Sequence, residues 1–318
     1  MGSSLKKDED FVRLLRHNIE DAQVVLMLAL LLGLTALRID GLPPFPTLDW
    51  YHFLKKSGST PQRLRQLHIH GHQHADGISL WSMNSAFLTL TPGLECLFLS
   101  SVSLMANRQV KGLFSEKKFQ ELFVCEAGVS PHMLGLMTSG QRLTNFRYKP
   151  ALGDFTKSEG EQYSEDRILD SLKDSLQSLR DLTLYALHPG FSSRRADFAS
   201  LKTLEMPYQH GFITCTENDP QGFSKAFRRC IPKSLSTLEL RYITPSEDVP
   251  DAMEALANLK HQGEFPDLKI IRLNFRQYSS SSPFFPPVPF ADMVLAAGEK
   301  FGAILRDAGL ELELAQTD

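Results

Sequence analysis

The chain has 318 residues, of which 42% are hydrophobic and 22% charged. This ordinary globular composition excludes wholesale disorder and allows two domains or one extended domain. A formal net charge of -3 and a pI of about 6.4 leave no field that would collect polyanions, which excludes nucleic acid and anionic membranes as main partners. The cysteines are scattered without a C-x-x-C pair, as expected of reduced thiols in the cytosol or nucleus. They are Cys96, Cys125, Cys215 and Cys230.

Two helices are predicted near the N-terminus, around residues 11–15 and over 24–32. The second lies in the apolar run VVLMLALLLGL, which resembles a targeting segment. Acidic residues precede the run where a signal peptide has a basic region, and the run is shorter than the roughly 20 apolar residues that cross a bilayer. The sequence therefore predicts a buried helix and, over residues 1–33, an N-terminal helical cap.

A six-residue pattern recurs along most of the chain: an apolar residue, two variable residues, an apolar residue, one variable residue and an apolar residue. Its nine copies begin at Leu34, Leu64, Leu94, Phe119, Leu143, Leu179, Leu201, Leu235 and Leu268. The spacing between copies varies from 22 residues, after Leu179, to 36 residues, after Leu143. The pattern resembles the L-x-x-L-x-L core of leucine-rich repeats, in which each copy supplies one strand of a parallel sheet that lines the inside of a curved solenoid.

The resemblance implies nine parallel strands that follow chain order within one sheet. Their centres are predicted near Leu37, Leu67, Leu97, Leu122, Phe146, Leu182, Leu204, Leu238 and Ile271. Helix-like stretches at 47–58, 164–178 and 249–263 would return the chain to the next strand. In the second stretch Ile168, Leu169, Leu172 and Leu176 share one face, and the third ends at Gly263.

The implied fold class is α/β: an irregular leucine-rich-repeat solenoid with a curved parallel sheet and helices on the convex side. We expect a single domain over residues 1–318, with about nine repeats at 34–275. Beyond the repeats, a Ser/Pro-rich loop from Ser279, a helix over about 291–307 and a last strand LELEL would form a C-terminal cap at 276–318.

Alternate histidines mark the second repeat, in the stretch RQLHIHGHQHADG. On the predicted strand His68 and His70 project from the concave face, whereas His72 and His74 fall in the turn beyond it. One alternative is a metal-dependent hydrolase that binds a divalent ion through His68 and His70, but such a site needs further ligands. The sequence groups no other histidine with a suitable partner and contains no nucleophile or phosphate-binding motif. We therefore expect no enzyme, no cofactor and no metal.

The variable residue between the second and third apolar positions forms a row along the concave face, called here the outer row. Its members are Arg38, His68, Phe98, Phe123, Arg147, Thr183, Glu205, Glu239 and Arg272. All except Thr183, together with Lys149, are predicted to bind a protein partner. Exposed aromatic rings beside a cation are typical of binding hot spots, so Phe98, Phe123 and Arg147 are the expected centre. The alternatives are that a helix or loop covers the phenylalanines, or that a one-residue slip of register turns both rings inward.

In the stretch DAQVVLMLALLLGLTALRIDG an apolar helix runs straight into the first repeat. This stretch and the irregular spacing of the repeats resemble the repeat half of fungal F-box/leucine-rich-repeat proteins. In that family an N-terminal F-box docks on the adaptor of a cullin-RING ubiquitin ligase and the repeats capture the substrate. The segment before the first repeat has no L-P-x-E/D-[IL] opening and too few residues for the helices of an F-box. The resemblance therefore implies a non-enzymatic module related to the substrate receptors, with a protein partner on the concave face. A purely structural protein with no fixed ligand is a further alternative.

Overall fold

The computed structural model of the chain describes residues 20–31, 33–42, 54–55, 58, 61–71, 81–84, 88, 90–105, 118–127, 129, 131–150, 165–185, 193–208, 222–243, 248–276 and 290–317. The α-helices in these ranges are α1 (Glu20–Leu30), α2 (Pro131–Thr138), α3 (Glu165–Ser171), α4 (Gly222–Cys230), α5 (Asp248–His261) and α6 (Phe290–Asp307). The strands are β1 (Ala36–Leu42), β2 (Gln66–Gly71), β3 (Trp81–Asn84), β4 (Cys96–Ser100), β5 (Val102–Met105), β6 (Glu121–Ala127), β7 (Asn145–Pro150), β8 (Asp181–Leu184), β9 (Thr203–Pro207), β10 (Thr237–Ile243), β11 (Ile270–Arg276) and β12 (Glu311–Thr317).

Ten of the described strands form one open, all-parallel sheet in the order β1-β2-β4-β6-β7-β8-β9-β10-β11-β12. This confirms the nine predicted strands and their order. The last predicted strand, β12, also joins the sheet, because Ile271 pairs with Leu312 and Leu273 with Leu314 in the same parallel register. The sequence did not predict the separate two-stranded sheet, in which β3 pairs with β5.

By its internal contacts the chain divides into two compact units. The first unit is Met1–Leu143 with Arg147–Gln162, and the second is Thr144–Phe146 with Tyr163–Asp318. The core of each unit is built from the predicted strand centres. In the first unit these are Leu67, Leu97 and Leu122, each 0% exposed, and in the second they are Leu182, Leu204, Leu238 and Ile271, at 0–1%. Alternation along each strand therefore sends the leucines inward, as the sequence pattern predicts.

Successive repeats are joined by a recurring pair of backbone hydrogen bonds just before each strand. The Arg65 carbonyl accepts the backbone N–H groups of Glu95, at 2.8 Å, and Cys96, at 2.9 Å. In the second unit the Arg180 carbonyl accepts those of Lys202, at 2.7 Å, and Thr203, at 2.9 Å. Carbonyls of Thr35, Glu95, Thr144, Lys202 and Ser236 accept the same pair of bonds. Because one carbonyl uses both lone pairs toward the next strand, the register of each repeat is set before the strand begins.

Several strands end in a bulge that turns the chain back toward the core. Ser101, Glu126 and Tyr242 have positive φ values of 53°, 51° and 57°, and each lies three residues after a member of the outer row. The pairing of β10 with β11 skips Tyr242. One extra residue reverses the alternation, so the next side chain points inward again. Accordingly, the following residues are fully buried: Val102, Ala127 and Ile243.

The predicted return helices are confirmed where the structure describes them. Helix α3 ends at Ser171 and a 3₁₀ turn continues it over Lys173–Ser175. Helix α5 ends before Gly263, whose φ of 77° is the left-handed value that glycine adopts without strain. Helix α6 matches the predicted C-terminal helix. Helices α2 and α4 were not predicted from the sequence.

Helix α1 corrects the expectation of a buried apolar helix. Leu28 is fully buried, but Met27, Leu30 and Leu31 are 42%, 69% and 47% exposed. Parts of the chain for which other predictions were made lie outside the described residues. These are the helix at 11–15, most of the stretch 47–58, the loop from Ser279, His72, His74 and Cys215.

Candidate functional site

The predicted outer row exists, because its members are direct register partners in the sheet. In the first unit Arg38 pairs with His68, His68 with Phe98, and Phe98 with Phe123. In the second unit Thr183 pairs with Glu205, Glu205 with Glu239, and Glu239 with Arg272. The row also continues onto β12, where Arg272 pairs with Glu313. Arg147 occupies the equivalent position of β7.

Three rings of the outer row stack on one another in the first unit, and we call His68, Phe98 and Phe123 the aromatic face. The His68 and Phe98 rings are nearly parallel, with centroids 5.5 Å apart and an interplanar angle of 14°. The Phe98 and Phe123 centroids are 6.0 Å apart, with the rings tilted by 44°. All three side chains are half-buried. The rings therefore do not turn inward, which excludes the one-residue slip, and each of them keeps part of its surface exposed.

Charged side chains lie at both ends of the aromatic face. Arg38 is exposed and pairs with Asp40, with Nε 2.9 Å from Oδ2. Arg147 is exposed on the neighbouring strand β7. Two residues further along β7, Lys149 pairs with Glu126 at 2.6 Å from Nζ to Oε1. The predicted residues of the first unit thus come together as an apolar centre with a guanidinium at either end.

The two histidines of β2 share the outer side of the strand, as predicted. His68 and His70 are both half-buried, while Leu67 and Ile69 between and beside them are fully buried. One face of the His68 ring is stacked on Phe98. Among the described residues no group of three or more His, Cys, Asp or Glu side chains could hold a metal ion.

Cys96 lies at the start of β4, and its surroundings keep its thiol unreactive as a nucleophile. Burial, a hydrogen bond with Glu121 and the negative charge of Glu121 together raise the pKa of its thiol to about 12. A thiol with such a pKa stays protonated at neutral pH, whereas nucleophilic attack needs the thiolate. Cys96 therefore serves as a buried apolar side chain.

In the second unit the outer row is occupied by a buried carboxylate network. Glu205 and Glu239 are only 5% and 8% exposed. Glu205 accepts hydrogen bonds from Thr183 Oγ1, at 3.0 Å, and from the Tyr185 hydroxyl, at 2.6 Å. Thr183, expected to be exposed, is itself buried, at 8%. Glu205 and Glu239, predicted as partner contacts, already have partners within the chain and cannot meet a binding protein without rearrangement.

One guanidinium joins the two carboxylates of this network. Arg241 Nε lies 2.7 Å from Glu205 Oε1 and 2.8 Å from Glu239 Oε1. Asn274 Nδ2 donates to Glu239 Oε1 at 2.6 Å. Burial by itself lowers the pKa of Arg241, but the charge of Glu205, together with the influence of Tyr185 and the hydrogen bond and charge of Glu239, outweighs it, so the pKa is raised. The network therefore holds its cation firmly, as a buried carboxylate pair requires.

Tyr185 completes the network as a permanent hydrogen-bond donor. Burial, the hydrogen bond to Glu205 and the charge of Glu205 all raise the pKa of its phenol above the ordinary value. The Tyr242 ring packs edge-on against it, with centroids 5.7 Å apart. Sequence reasoning missed Tyr185, Arg241 and Asn274. A signal was available, because each lies two residues after a member of the outer row and alternation places it on the same side.

Beside the network, Arg272 forms an ion pair with Glu313, and both side chains are 40% exposed. The hydrogen bond with Glu313 raises the pKa of Arg272. Elsewhere in the second unit, Arg194 pairs with Asp170 at the surface. The adjacent Arg195 is buried, at 4%, and donates through Nη2 to Glu165 Oε2 at 2.5 Å. Of the predicted residues here, only Arg272 keeps an accessible side chain.

No protein-family model matches the sequence, and the search of curated proteins found no match either. Among the described residues, no helix is both long and apolar enough to span a membrane.

Proposed function

We propose that the protein is a non-enzymatic protein-interaction module, built as an irregular leucine-rich-repeat solenoid, that binds a protein partner through the aromatic face. The observation that carries the proposal is the stack of His68, Phe98 and Phe123, three large rings that stay only half-buried on one side of a parallel sheet. The repeat architecture is supported by the shared register and by the same pair of backbone hydrogen bonds before each strand.

The chemistry of the aromatic face suits a partner with an apolar anchor. Stacked rings on neighbouring strands lose little conformational entropy on binding, because packing already restricts their rotamers. Covering Phe98 and Phe123 would remove apolar area from water, which contributes roughly 25 cal/mol per Å². Arg38 and Arg147 at either end favour acidic residues beside that anchor, and these charges would set orientation more than affinity.

Within this proposal the module is a substrate receptor related to the F-box proteins of cullin-RING ubiquitin ligases, acting inside the cell. Support comes from the L-x-x-L-x-L repeats and from the direct passage of α1 into β1, with five residues between Leu30 and Ala36. The carboxylate network of the second unit would then have a structural role, since it holds β8, β9, β10 and β11 in register.

A paired affinity-capture experiment tests the proposal. The full chain and a Phe98→Ser/Phe123→Ser variant serve as baits in the same cell extract, and bound proteins are identified by mass spectrometry. We expect a protein that the wild type and an Arg194→Ala control retain and the double variant loses. Circular dichroism establishes that all three baits are folded. Identical sets of bound proteins from all the baits would contradict binding through the aromatic face.

The same experiment tests the receptor role. An adaptor of a cullin-RING ligase that every bait retains supports it, because an adaptor would dock away from the aromatic face. Capture of a partner in the absence of any ligase component would support the protein-interaction module but contradict the role as a substrate receptor.

A further inference from the structure

Strand β12 presents an incompletely covered edge in the second unit. Leu312 and Leu314 are half-buried, whereas their register partners Ile271 and Leu273 on β11 are 0% exposed. In the order of the described strands β12 is the last member of the sheet. The backbone N–H and C=O groups on the outer edge of β12 have the same arrangement as those that pair each earlier strand with the next. This edge is therefore a template for one more parallel strand.

A cavity of about 450 Å³ adjoins this edge, between α6 and β12. Gly298 and Gly302 line it from the helix, and Leu310, Leu312 and Leu314 line it from the strand side. The helix lies close to β12 here, because a Cβ on Gly298 would come within 3.1 Å of Leu314 Cδ1. A Cβ on Gly302 would meet its nearest atoms at 3.9 Å, which is ordinary van der Waals contact, and the cavity that this residue lines leaves room for a longer side chain. Arg306 and Glu311 complete the lining, so an apolar floor with a charged rim lies open beside this strand edge.

The opposite end of the sheet carries a matching feature in the first unit. Strand β1 is the first member of the sheet among the described strands. The helix before it, α1, leaves Met27 and Leu30 exposed at 42% and 69%, and Leu31, which directly follows the helix, is 47% exposed. Three large apolar side chains together on one helix end are costly to leave in water and mark an interaction surface.

We propose that copies of this chain associate head to tail, with α1 and β1 of one copy docked on α6 and β12 of the next. The order of elements matches, because a helix precedes each of β1, β11 and β12, and α4, α5 and α6 contact one another in turn. Helix α1 of the second copy then continues the helix layer beside α6, and its β1 continues the sheet beside β12.

Charge complementarity supports this choice of occupant. In the parallel register of the sheet, Leu37 and Ile39 of the docked copy fall beside Leu312 and Leu314, and its Arg38 falls beside Glu313. Glu313 already pairs with Arg272 of its own chain. The charges along the outer row thus alternate in sign across the junction.

Such an interface is heterologous, since two different surfaces meet, and it can be repeated. It predicts oligomers whose average size increases with protein concentration. Sedimentation velocity and light scattering on the full chain, at up to about 100 μM, detect any association with a micromolar Kd. We expect the average mass to rise with concentration. A wild-type protein that stays monomeric over this range would overturn the proposal and leave the edge to another occupant.

Two variants block opposite sides of the junction. Gly302→Leu fills the cavity at a position with space for a side chain, and Leu30→Glu places a charge on the exposed end of α1. Each variant alone should be monomeric, with an unchanged circular dichroism spectrum. Mixed in equal amounts, the two variants should form a dimer that adds no further copies. The Gly302→Leu variant still offers an intact α1 and β1, and the Leu30→Glu variant still offers an intact α6 and β12, so one junction can form.

The mixture distinguishes this interface from other modes of association. If Leu30→Glu abolishes association and Gly302→Leu does not, two α1 helices pair with each other and the head-to-tail junction is wrong. If neither change alters the mass of a self-associating wild type, another surface is responsible and the proposal fails. Should Gly302→Leu not fold, Leu30→Glu mixed with wild type tests the proposal. This variant must reduce the average mass of the wild-type oligomers, because it can occupy one end of an oligomer but cannot extend it.

Discussion

Thr183 donates a hydrogen bond to Glu205 at 3.0 Å from Oε2, and both side chains are buried although they lie on the outer row. The same row holds half-buried rings in the first unit. The difference comes from the residues two positions further along the strands, since Tyr185 and Arg241 bond to Glu205. A place on the outer row therefore determines the side of the sheet, and neighbouring side chains determine exposure.

The burial of Thr183 changes the expected cost of altering it. Leu182→Ala, at a core position 1% exposed, should lower the free energy of unfolding by about 2–5 kcal/mol. For Thr183→Ala an exposed position would allow at most about 0.5 kcal/mol. Loss of a buried hydrogen bond to a carboxylate instead predicts about 1–2 kcal/mol. Chemical denaturation measures both, with Thr183→Val as the variant that keeps the shape. A loss of at most about 0.5 kcal/mol for Thr183→Ala would contradict the buried hydrogen bond, and a loss that small for Leu182→Ala would contradict the observed register.

Stability should fall at alkaline pH in a way that depends on Tyr185. Burial and the bond to Glu205 raise the pKa of this phenol in the folded chain. Above the unfolded tyrosine pKa of about 10, the unfolded chain loses the proton first, so the free energy of unfolding decreases as the pH rises. Tyr185→Phe should flatten this decrease, and Thr183→Val, which keeps the phenol, should not. Denaturation midpoints between neutral pH and about pH 11 test this, and identical profiles for wild type and Tyr185→Phe would refute it.

Two glycines should respond in opposite directions to alanine. Gly263 follows α5 with a φ of 77°, so Gly263→Ala forces an L-residue into the left-handed region. The expected loss is about 1–2 kcal/mol. Gly135 lies within α2 and a Cβ there meets nothing within 4 Å. Gly135→Ala should stabilise the chain by about 0.5–1 kcal/mol through helix propensity. Thermal or chemical unfolding gives both values, and the same sign for the two changes would be inconsistent with this geometry.

Binding energy should concentrate at the aromatic face. With a purified partner, Phe123→Ala or Arg147→Ala should weaken binding at least about tenfold, or roughly 1.4 kcal/mol. Arg194→Ala should change it little, because Arg194 is an exposed residue paired with Asp170 in the other unit. Isothermal titration calorimetry provides the Kd values. A partner unaffected by changes at Phe98, Phe123 and Arg147, but lost when residues 72–76 or 279–289 are altered, would place the binding surface elsewhere.

The hydrolase alternative makes a separate prediction about metal content. Strand β2 offers only two histidines as metal ligands, His68 and His70, and the His68 ring is stacked on Phe98. We therefore expect bound zinc or iron to be far below stoichiometric. Elemental analysis of purified protein should give the same value for wild type and for His68→Ala/His70→Ala. Near-stoichiometric metal that disappears in the double variant would favour the hydrolase.

Much of the fold could be predicted from local pattern. Leu67, Leu97 and Leu122 are fully buried where the repeat places them, because alternation along a strand is a local property of the backbone. The side of the sheet that carries Phe98 and Phe123 followed from the same rule. The exposed end of α1 could not be predicted, because a helix that is apolar on every side does not indicate which side it buries.

By itself, then, the sequence determined the strand centres, their parallel order, the inward leucines and the side chains of the outer row. Only the tertiary structure decided which of those side chains remain accessible. Glu205 is enclosed because parallel register brings Tyr185, just after β8, and Arg241, on β10, against it from the two neighbouring strands. Phe98 has rings as its register neighbours, which pack against it without enclosing it. Contacts between strands, which no single repeat encodes, therefore distinguish the aromatic face from the buried network.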